Sequence, residues 1–125
     1  MVDTNVLVRA IVADDPGQVR RARKLLKSSR ILLLESVILE LEWVLRYSYE
    51  MSREEVGGAL RILIGLRNVQ VERKRLVLNV IEAYEKGVDF ADALHYAGAE
   101  GLEVKTFDRK FVNRGKKEGW KVSLV

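Results

Sequence analysis

The chain has 125 residues, of which 48% are hydrophobic and 32% are charged, and its formal net charge is +4. This length suits a single compact domain over residues 1–125, and the absence of cysteine excludes disulfide frameworks, thiolate zinc sites and catalytic thiols. Because no apolar run approaches the roughly 20 residues of a membrane helix and no signal-peptide pattern is present, we expect a cytoplasmic protein without membrane association.

Short aliphatic runs alternate with longer amphipathic runs in the first half of the chain. Residues 2–4 can form only a very short strand, whereas residues 17–29 carry apolar side chains at helical spacing. The run "ILLL" at 31–34 indicates a buried strand. Ser36 can then cap a helix that extends to about Tyr49.

The middle of the chain contains a clear helix start. Ser52 and Glu55 form the pattern of a capping box, so we expect a helix to begin there. Residues 68–71 predict a weak strand, and residues 74–86 predict a helix with one apolar face.

The last part of the chain alternates again between helix and strand. Asp89 can cap a helix that ends near Gly101, and a strand at 103–107, a helix at 109–117 and a strand at 121–124 follow. Strands separated by helices favour a parallel sheet that is covered on both faces. We therefore predict a three-layer α/β domain.

Positive charge is concentrated at both ends of the chain. Residues 1–34 carry seven Lys and Arg against three acids, residues 101–125 again carry seven against three, and residues 35–100 carry eight against twelve. A polyanion such as RNA would be attracted to the two ends. A solvated, soluble surface explains the same charges at least as well.

Four acids occupy unusual positions. Asp3 and Asp108 directly follow predicted strands, while Glu40 and Asp92 lie in the first turns of predicted helices among apolar neighbours. Ligands of open parallel α/β sheets bind beyond the carboxyl ends of the strands. If the two helices start at that same edge, all four carboxylates converge.

Converging carboxylates repel one another and would take up protons unless a cation neutralises them. Mg²⁺ and Mn²⁺ prefer carboxylate and water oxygens, and such an ion can activate water and steady the charge of a phosphodiester. His95 is the only histidine, so no histidine pair or Ser–His–Asp arrangement competes with this interpretation.

Each acid also has a purely structural interpretation. Asp3 can cap a helix that begins near Asn5, and Asp108 can cap the last helix. Asp89 and Asp92 can be a cap and its third-position companion, which is the interpretation that we prefer for Asp89. The metal hypothesis therefore depends on all four acids recurring at strand ends and helix starts.

Glu40 is the acid that a structural role explains least well, because Trp43 follows it at i+3. Glu42 lies about 200° around the helix from Glu40, so we expect Glu42 to be the surface acid of the two. The aromatic residues on or near this helix, Trp43, Tyr47 and Tyr49, predict a core or dimer-interface role rather than base stacking.

Together, these residues resemble a PIN domain, specifically a VapC-type toxin ribonuclease, over nearly the whole chain. Four motifs, each with one acid, carry the resemblance: "VDTNVLVR" with Asp3, "VILELEWVLR" with Glu40, "DFADAL" with Asp92 and "TFDRKF" with Asp108. The polar residues that accompany the acids in these motifs are Thr4, Asn5 and Asp89.

The resemblance implies an α/β/α sandwich around a central, mostly parallel five-stranded sheet. It also implies a Mg²⁺- or Mn²⁺-dependent endoribonuclease that hydrolyses RNA phosphodiester bonds by metal-activated water. Family members are usually homodimers that are inhibited by a small antitoxin, and operator DNA is bound only through that antitoxin. They generally have several residues before the first acid, so with Met1 and Val2 alone before Asp3 we expect strand 1 to be short or to start upstream of this numbering.

On this hypothesis, Asp3 and Asp92 hold the main metal ion, while Glu40 and Asp108 complete an acidic ring. The Thr4 hydroxyl orients ligand or phosphate. The basic residues that flank the acids, and that we predict to contact RNA, are Arg9, Arg109 and Lys110.

A second basic group lies on the predicted helix at 17–29, where Arg20, Lys24 and Lys27 share one face. A solvated face is the interpretation that we prefer for this group. RNA contact and antitoxin docking are the alternatives.

Two other functions stay open. One is a phosphoacceptor or phosphatase-like α/β domain with Asp3 as a nucleophile, although the haloacid-dehalogenase pattern has a second acid where this chain has Asn5. A stable aspartyl-phosphate on Asp3 would favour it. The other is a catalytically silent PIN module that binds RNA or protein, which calorimetry with Mn²⁺ would discriminate, since a silent module need bind no metal.

Overall fold

The structure is a computed structural model that describes residues 2–12 and 15–125. Its helices are α1 (Thr4–Ile11), α2 (Pro16–Ser28), α3 (Glu35–Tyr47), α4 (Arg53–Gly65), α5 (Lys74–Glu85), α6 (Phe90–Gly98) and α7 (Arg109–Glu118). Its strands are β1 (Ile31–Leu33), β2 (Val69–Val71), β3 (Val104–Thr106) and β4 (Val122–Leu124). Helices combined with short parallel strands confirm the predicted α/β class.

Local contacts divide the chain into two compact units, an N-terminal unit, Met1–Lys74, and a C-terminal unit, Arg75–Val125. None of the helices in the described part of the chain combines the length and the apolar composition that crossing a bilayer requires.

The N-terminal unit contains the parallel strand pair β1–β2, in which Ile31 pairs with Val69. Helix α1 packs against α2 and α3, and α3 packs against α4. The fully buried aliphatic side chains of this unit are Leu7, Leu33, Ile38, Leu41, Leu45, Val56, Leu60 and Ile64. They come from α1, β1, α3 and α4, which explains why the apolar residues of these helices recur at helical spacing.

Side-chain caps determine where two helices of this unit begin. Asp15 precedes α2, and its Oδ1 accepts the backbone N–H groups of Gly17 and Gln18 at 3.1 Å each. Before α4, the Ser52 hydroxyl accepts the N–H of Glu55, and the Glu55 carboxylate accepts the N–H of Ser52, both at 3.1 Å. The predicted capping box is therefore confirmed.

The C-terminal unit contains the second parallel strand pair, β3–β4, in which Val104 pairs with Val122. Helix α7 packs on both strands and buries Phe111 and Val112 with Val122. A Cβ atom at Gly115 would lie only 3.1 Å from the Val122 Cγ2 atom. The helix can therefore approach the strand this closely because residue 115 has no side chain.

Two aromatic pairs hold α6 in place within the C-terminal unit. At its start, Phe90 meets Tyr84 of α5 edge to face, with ring centroids 5.4 Å apart. Near its end, Tyr96 stacks on Trp120 at 4.4 Å, and its hydroxyl accepts the Lys121 N–H at 3.0 Å. These contacts fix both ends of the helix that carries Asp92.

The predicted strand over residues 2–4 is wrong. Helix α1 begins at Thr4, and Asp3 is its N-cap, with Oδ1 accepting the Val6 N–H at 3.3 Å. A side chain that bonds to a backbone N–H three residues ahead favours a helix start over a strand.

Two further details of the predicted fold differ. Helix α3 begins at Glu35, one residue before Ser36, and its N-cap Leu34 makes no side-chain capping bond, so the predicted Ser36 cap is wrong. The described strands form two separate two-stranded parallel sheets, and a five-stranded sheet is not observed among the described residues.

Candidate functional site

The first predicted acid, Asp3, is exposed at the N-terminus of α1. The structural alternative for this residue, a helix cap, is confirmed by its bond to the Val6 N–H. This bond uses Oδ1 and leaves Oδ2 at the surface. Thr4 is buried, with 6% of its surface exposed, whereas Asn5 is exposed. The cap therefore presents a carboxylate oxygen and does not exclude a role as a ligand.

On α3, the expected burial of the two acids is reversed. Glu42, predicted to be the surface acid, is 7% exposed, and its carboxylate lies 3.9 Å from the Arg46 guanidinium. Glu40 is exposed. The reason is that Glu42 shares the inward face of α3 with Leu41 and Leu45, which are fully buried. The second predicted ligand thus lies on an open face of its helix.

The aromatic residues beyond Glu40 are exposed as well. Trp43 is 58% exposed and Tyr47 is 61% exposed, so the predicted core role is wrong for both. Their ring centroids lie 5.4 Å apart, and the Arg46 guanidinium lies 5.4 Å from the centroid of Tyr47. This aromatic pair is an exposed apolar surface on α3.

The C-terminal unit brings the other two predicted acids near each other. Asp89 caps α6 by accepting the Asp92 N–H at 3.0 Å. Asp108 caps α7 by accepting the N–H groups of Lys110 at 2.9 Å and Phe111 at 3.3 Å. The Asp108 N–H in turn donates to the Thr106 hydroxyl at 3.0 Å. Asp92, in the first turn of α6, and Asp108, the N-cap of α7, therefore both lie at helix N-termini. The helix dipole stabilises negative charge there.

The carboxyl group of Asp92 is half-buried and lies close to two other acids. Burial raises the pKa of its carboxyl above the ordinary value of 3.8, and the charges of Asp89 and Asp108 raise it further, while His95 lowers it. Among the described residues, the Asp92 carboxylate has no hydrogen-bond or ion-pair partner. The C-terminal unit thus contains a half-buried carboxylate within the electrostatic reach of two others.

The donor set of this cluster fits a hard divalent cation. Within residues 2–12 and 15–125, no three Asp, Glu or His side chains are grouped closely enough to surround one ion. Mg²⁺ does not require such a cage, because it commonly uses one or two carboxylates and completes its shell with water and phosphate oxygens. Asp92 with one neighbour supplies that number. The convergence of Asp3 and Glu40 with this cluster stays a prediction.

The basic residues predicted to contact RNA differ in their surroundings. Arg109 and Lys110 are exposed in the first turn of α7, directly after Asp108. Arg9 is half-buried, and its Nη1 atom donates to the Tyr49 hydroxyl at 3.3 Å. Arg109 and Lys110 are therefore the cations that the structure places beside a predicted ligand.

Sequence analysis missed one basic residue that contributes to a concave surface on α2. Arg23 lines a groove in the N-terminal unit together with the three cations of the predicted basic face. Its position, three residues after Arg20 and four before Lys27, is the signal that could have identified it.

Comparison with known proteins gives one match. A family model described as the PIN domain matches residues 1–117. No curated protein and no solved structure gives a significant match.

Proposed function

The chain belongs to the PIN domain family, generally a nuclease fold, and on this premise we propose that it is a Mg²⁺- or Mn²⁺-dependent endoribonuclease of the VapC toxin type. The observation that carries the metal dependence is the placement of the half-buried Asp92 in the first turn of α6, three residues after its cap Asp89 and within electrostatic reach of Asp108, the cap of α7. Carboxylates that crowd one another are a favourable site for a divalent cation, because the cation offsets their mutual repulsion.

In the proposed site, Asp92 and Asp3 would hold the cation, and Glu40 and Asp108 would complete the acidic ring. When bound, the ion would lower the pKa of water and neutralise charge on the scissile phosphodiester. Asp89 fixes the start of α6 through its bond to the Asp92 N–H, and so it positions the Asp92 side chain. The residues next to Asp3, which are Thr4 and Asn5, would orient the ligand.

RNA binding near the acids is assigned to Arg109 and Lys110. Both are exposed and lie on the first turn of α7, so they can contact phosphates next to Asp108. Arg9 is kept as a weaker candidate, because part of its hydrogen-bonding capacity is used by Tyr49.

The proposal includes the partners that the VapC resemblance implies: a second copy of the chain, a cognate antitoxin and, through that antitoxin, operator DNA, all in the cytoplasm. The exposed pair of Trp43 and Tyr47 supports a homodimer, because aromatic side chains are enriched in protein interfaces.

The test is cleavage of mixed cellular RNA by the purified protein with Mg²⁺, with Mn²⁺ and with a chelator. We expect cleavage that stops in chelator and falls at least about 100-fold in Asp92→Asn, because the crowded carboxylate is lost. The matched control is Glu82→Gln, which removes one exposed carboxylate of α5 that pairs only loosely with Lys86, at 3.8 Å. Cleavage that persists in chelator, or an Asp92→Asn protein as active as the control, would contradict the proposal.

A further inference from the structure

The most concentrated positive charge in the N-terminal unit lies along α2. Arg20, Arg23, Lys24 and Lys27 are spaced i, i+3, i+4 and i+7, so they share one face of the helix. All four line a concave surface whose other lining residues are Pro16, Val19 and Ser28. The lining contains no acid, and we call this surface the α2 groove.

Three of these cations have no carboxylate partner among the residues that the structure describes. Arg20, Lys24 and Lys27 are exposed, and among the described residues none of them lies within ion-pair distance of a carboxylate. Arg23 differs, because its Nε atom donates to the Ala10 carbonyl at 3.0 Å near the end of α1. Like charges at i,i+3 and i,i+4 destabilise a helix. An anionic ligand in the groove would therefore relieve a repulsion that no described carboxylate relieves.

We propose that the α2 groove binds the phosphodiester backbone of single-stranded RNA and so holds the substrate strand of the endoribonuclease. This inference rests on the proposed function for the identity of the anion. From Arg20 to Lys27 the stripe spans seven residues, about 10 Å along the helix axis, which suits a linear polyanion better than a compact anion.

Other occupants fit the surface less well. A membrane would require an exposed apolar face on α2, but Val19, Ala22 and Leu26 are buried within the unit. A single partly exposed side chain, Leu25 at 38%, does not form such a face. A protein partner would be expected to bury apolar side chains of the groove, but of its two apolar lining residues Val19 is already buried, and only Pro16, at the first turn of α2, is exposed. Phosphate groups need only the exposed cations.

The test measures the binding of a short fluorescein-labelled single-stranded RNA by anisotropy over a salt series, in chelator so that no cleavage occurs. The variant is Arg20→Gln/Lys24→Gln/Lys27→Gln, which keeps Arg23 and its bond to α1 and replaces exposed residues by a good helix former. The control is a second triple variant with the same change in charge, Lys116→Gln/Lys117→Gln/Lys121→Gln. All three of its substituted residues are exposed and belong to the C-terminal unit.

We expect the α2 variant to bind the RNA at least about tenfold more weakly, with the slope of log K against log salt shallower by about 2, since single strands contribute roughly 0.7 for each neutralised phosphate. The control should keep most of the wild-type slope. A slope change equal in both triple variants, or absent from the α2 variant, would overturn the proposal. The proposal would also be overturned if the α2 variant bound RNA like wild type but no longer bound a polyglutamate peptide that wild type binds. The groove would then hold an acidic protein segment.

The binding assay also separates this inference from the proposed function. A protein that cleaves RNA in Mn²⁺ while the α2 variant keeps the wild-type slope refutes the groove and leaves the nuclease proposal intact. A protein that cleaves nothing but shows the expected loss in the α2 variant refutes the nuclease and retains the groove. Thermal melts of both triple variants confirm that they are folded before their slopes are compared.

Discussion

Asp92→Asn should stabilise the metal-free protein at neutral pH. In the folded chain, burial and the charges of Asp89 and Asp108 raise the pKa of Asp92 above 3.8. The folded state therefore binds this proton more tightly than the unfolded state does. This contribution to stability is complete below pH 3.8 and is lost as the pH rises through the raised pKa. At neutral pH the wild-type chain carries a crowded carboxylate, and an asparagine removes it.

The expected gain is small because solvent screens this half-buried site. After that discount, we expect a free energy of unfolding higher by at most about 1 kcal/mol at neutral pH, which raises Tm by roughly 4 °C in a domain of this size. Thermal melts in chelator should show this gain for Asp92→Asn and not for Glu82→Gln. The gain should disappear below pH 3.8, where Asp92 is protonated in both states. A gain that is unchanged in acid, or a loss at neutral pH, would refute the electrostatic explanation.

Divalent metal should reverse the order of stability. At about 100 times its Kd, Mn²⁺ stabilises a protein that binds it only in the folded state by about 2.7 kcal/mol. Wild type should therefore melt above Asp92→Asn in Mn²⁺ and below it in chelator. Equal stabilisation of the two proteins by Mn²⁺ would show that Asp92 is not a ligand, even if the pH dependence is as expected.

The remaining predictions concern burial and packing. Glu40→Gln should abolish cleavage with little change in Tm. Glu42→Gln should retain cleavage and lose about 1–2 kcal/mol of stability, since Glu42 is buried with a cationic partner. Equal loss of cleavage in the two variants would contradict this prediction. Gly115→Ala should destabilise by about 1 kcal/mol, because overpacking against β4 outweighs the gain in helix propensity. Gly58→Ala, with open space around its Cβ position, should stabilise by about 0.5–1 kcal/mol in chemical unfolding. Trp43→Ser should shift a homodimer toward monomer in sedimentation experiments, and an unchanged mass would refute the dimer role.

Elements with strong local signals could be predicted from the sequence. The capping box before α4 and the cap before α6 have the expected hydrogen bonds, because these interactions involve residues only three positions apart. The strand predicted at 103–107 is confirmed as β3, which is shorter, Val104–Thr106. The prediction of a strand at residues 2–4 is wrong because the Asp3 side chain accepts a backbone N–H of helix α1. A local cap of this kind competes with extended structure.

The burial of the α3 acids could not be predicted, for a different reason. The run "SVILELEWVLR" has apolar residues on more than one face, so periodicity alone does not fix which face points inward. Packing against α1 and α4 selects the face with Ile38, Leu41 and Leu45, and Glu42 is buried with them. Trp43 lies on the other side as a consequence. Tertiary contacts, which a single sequence does not display, decide which of these helix faces points inward.

Two of the candidate ligands, Asp3 and Asp108, are also helix caps, and this determines which variants can separate the structural role from the proposed chemistry. Asp108 caps α7 through one oxygen, Oδ1, and leaves the other available. Asparagine is as good an N-cap as aspartate but carries no charge, whereas alanine loses both the cap and the charge. Asp108→Asn should therefore weaken cleavage with Tm nearly unchanged, and Asp108→Ala should in addition cost about 1 kcal/mol of stability. If the asparagine variant cleaves RNA like wild type, Asp108 is a helix cap alone and the acidic ring needs only the other three carboxylates.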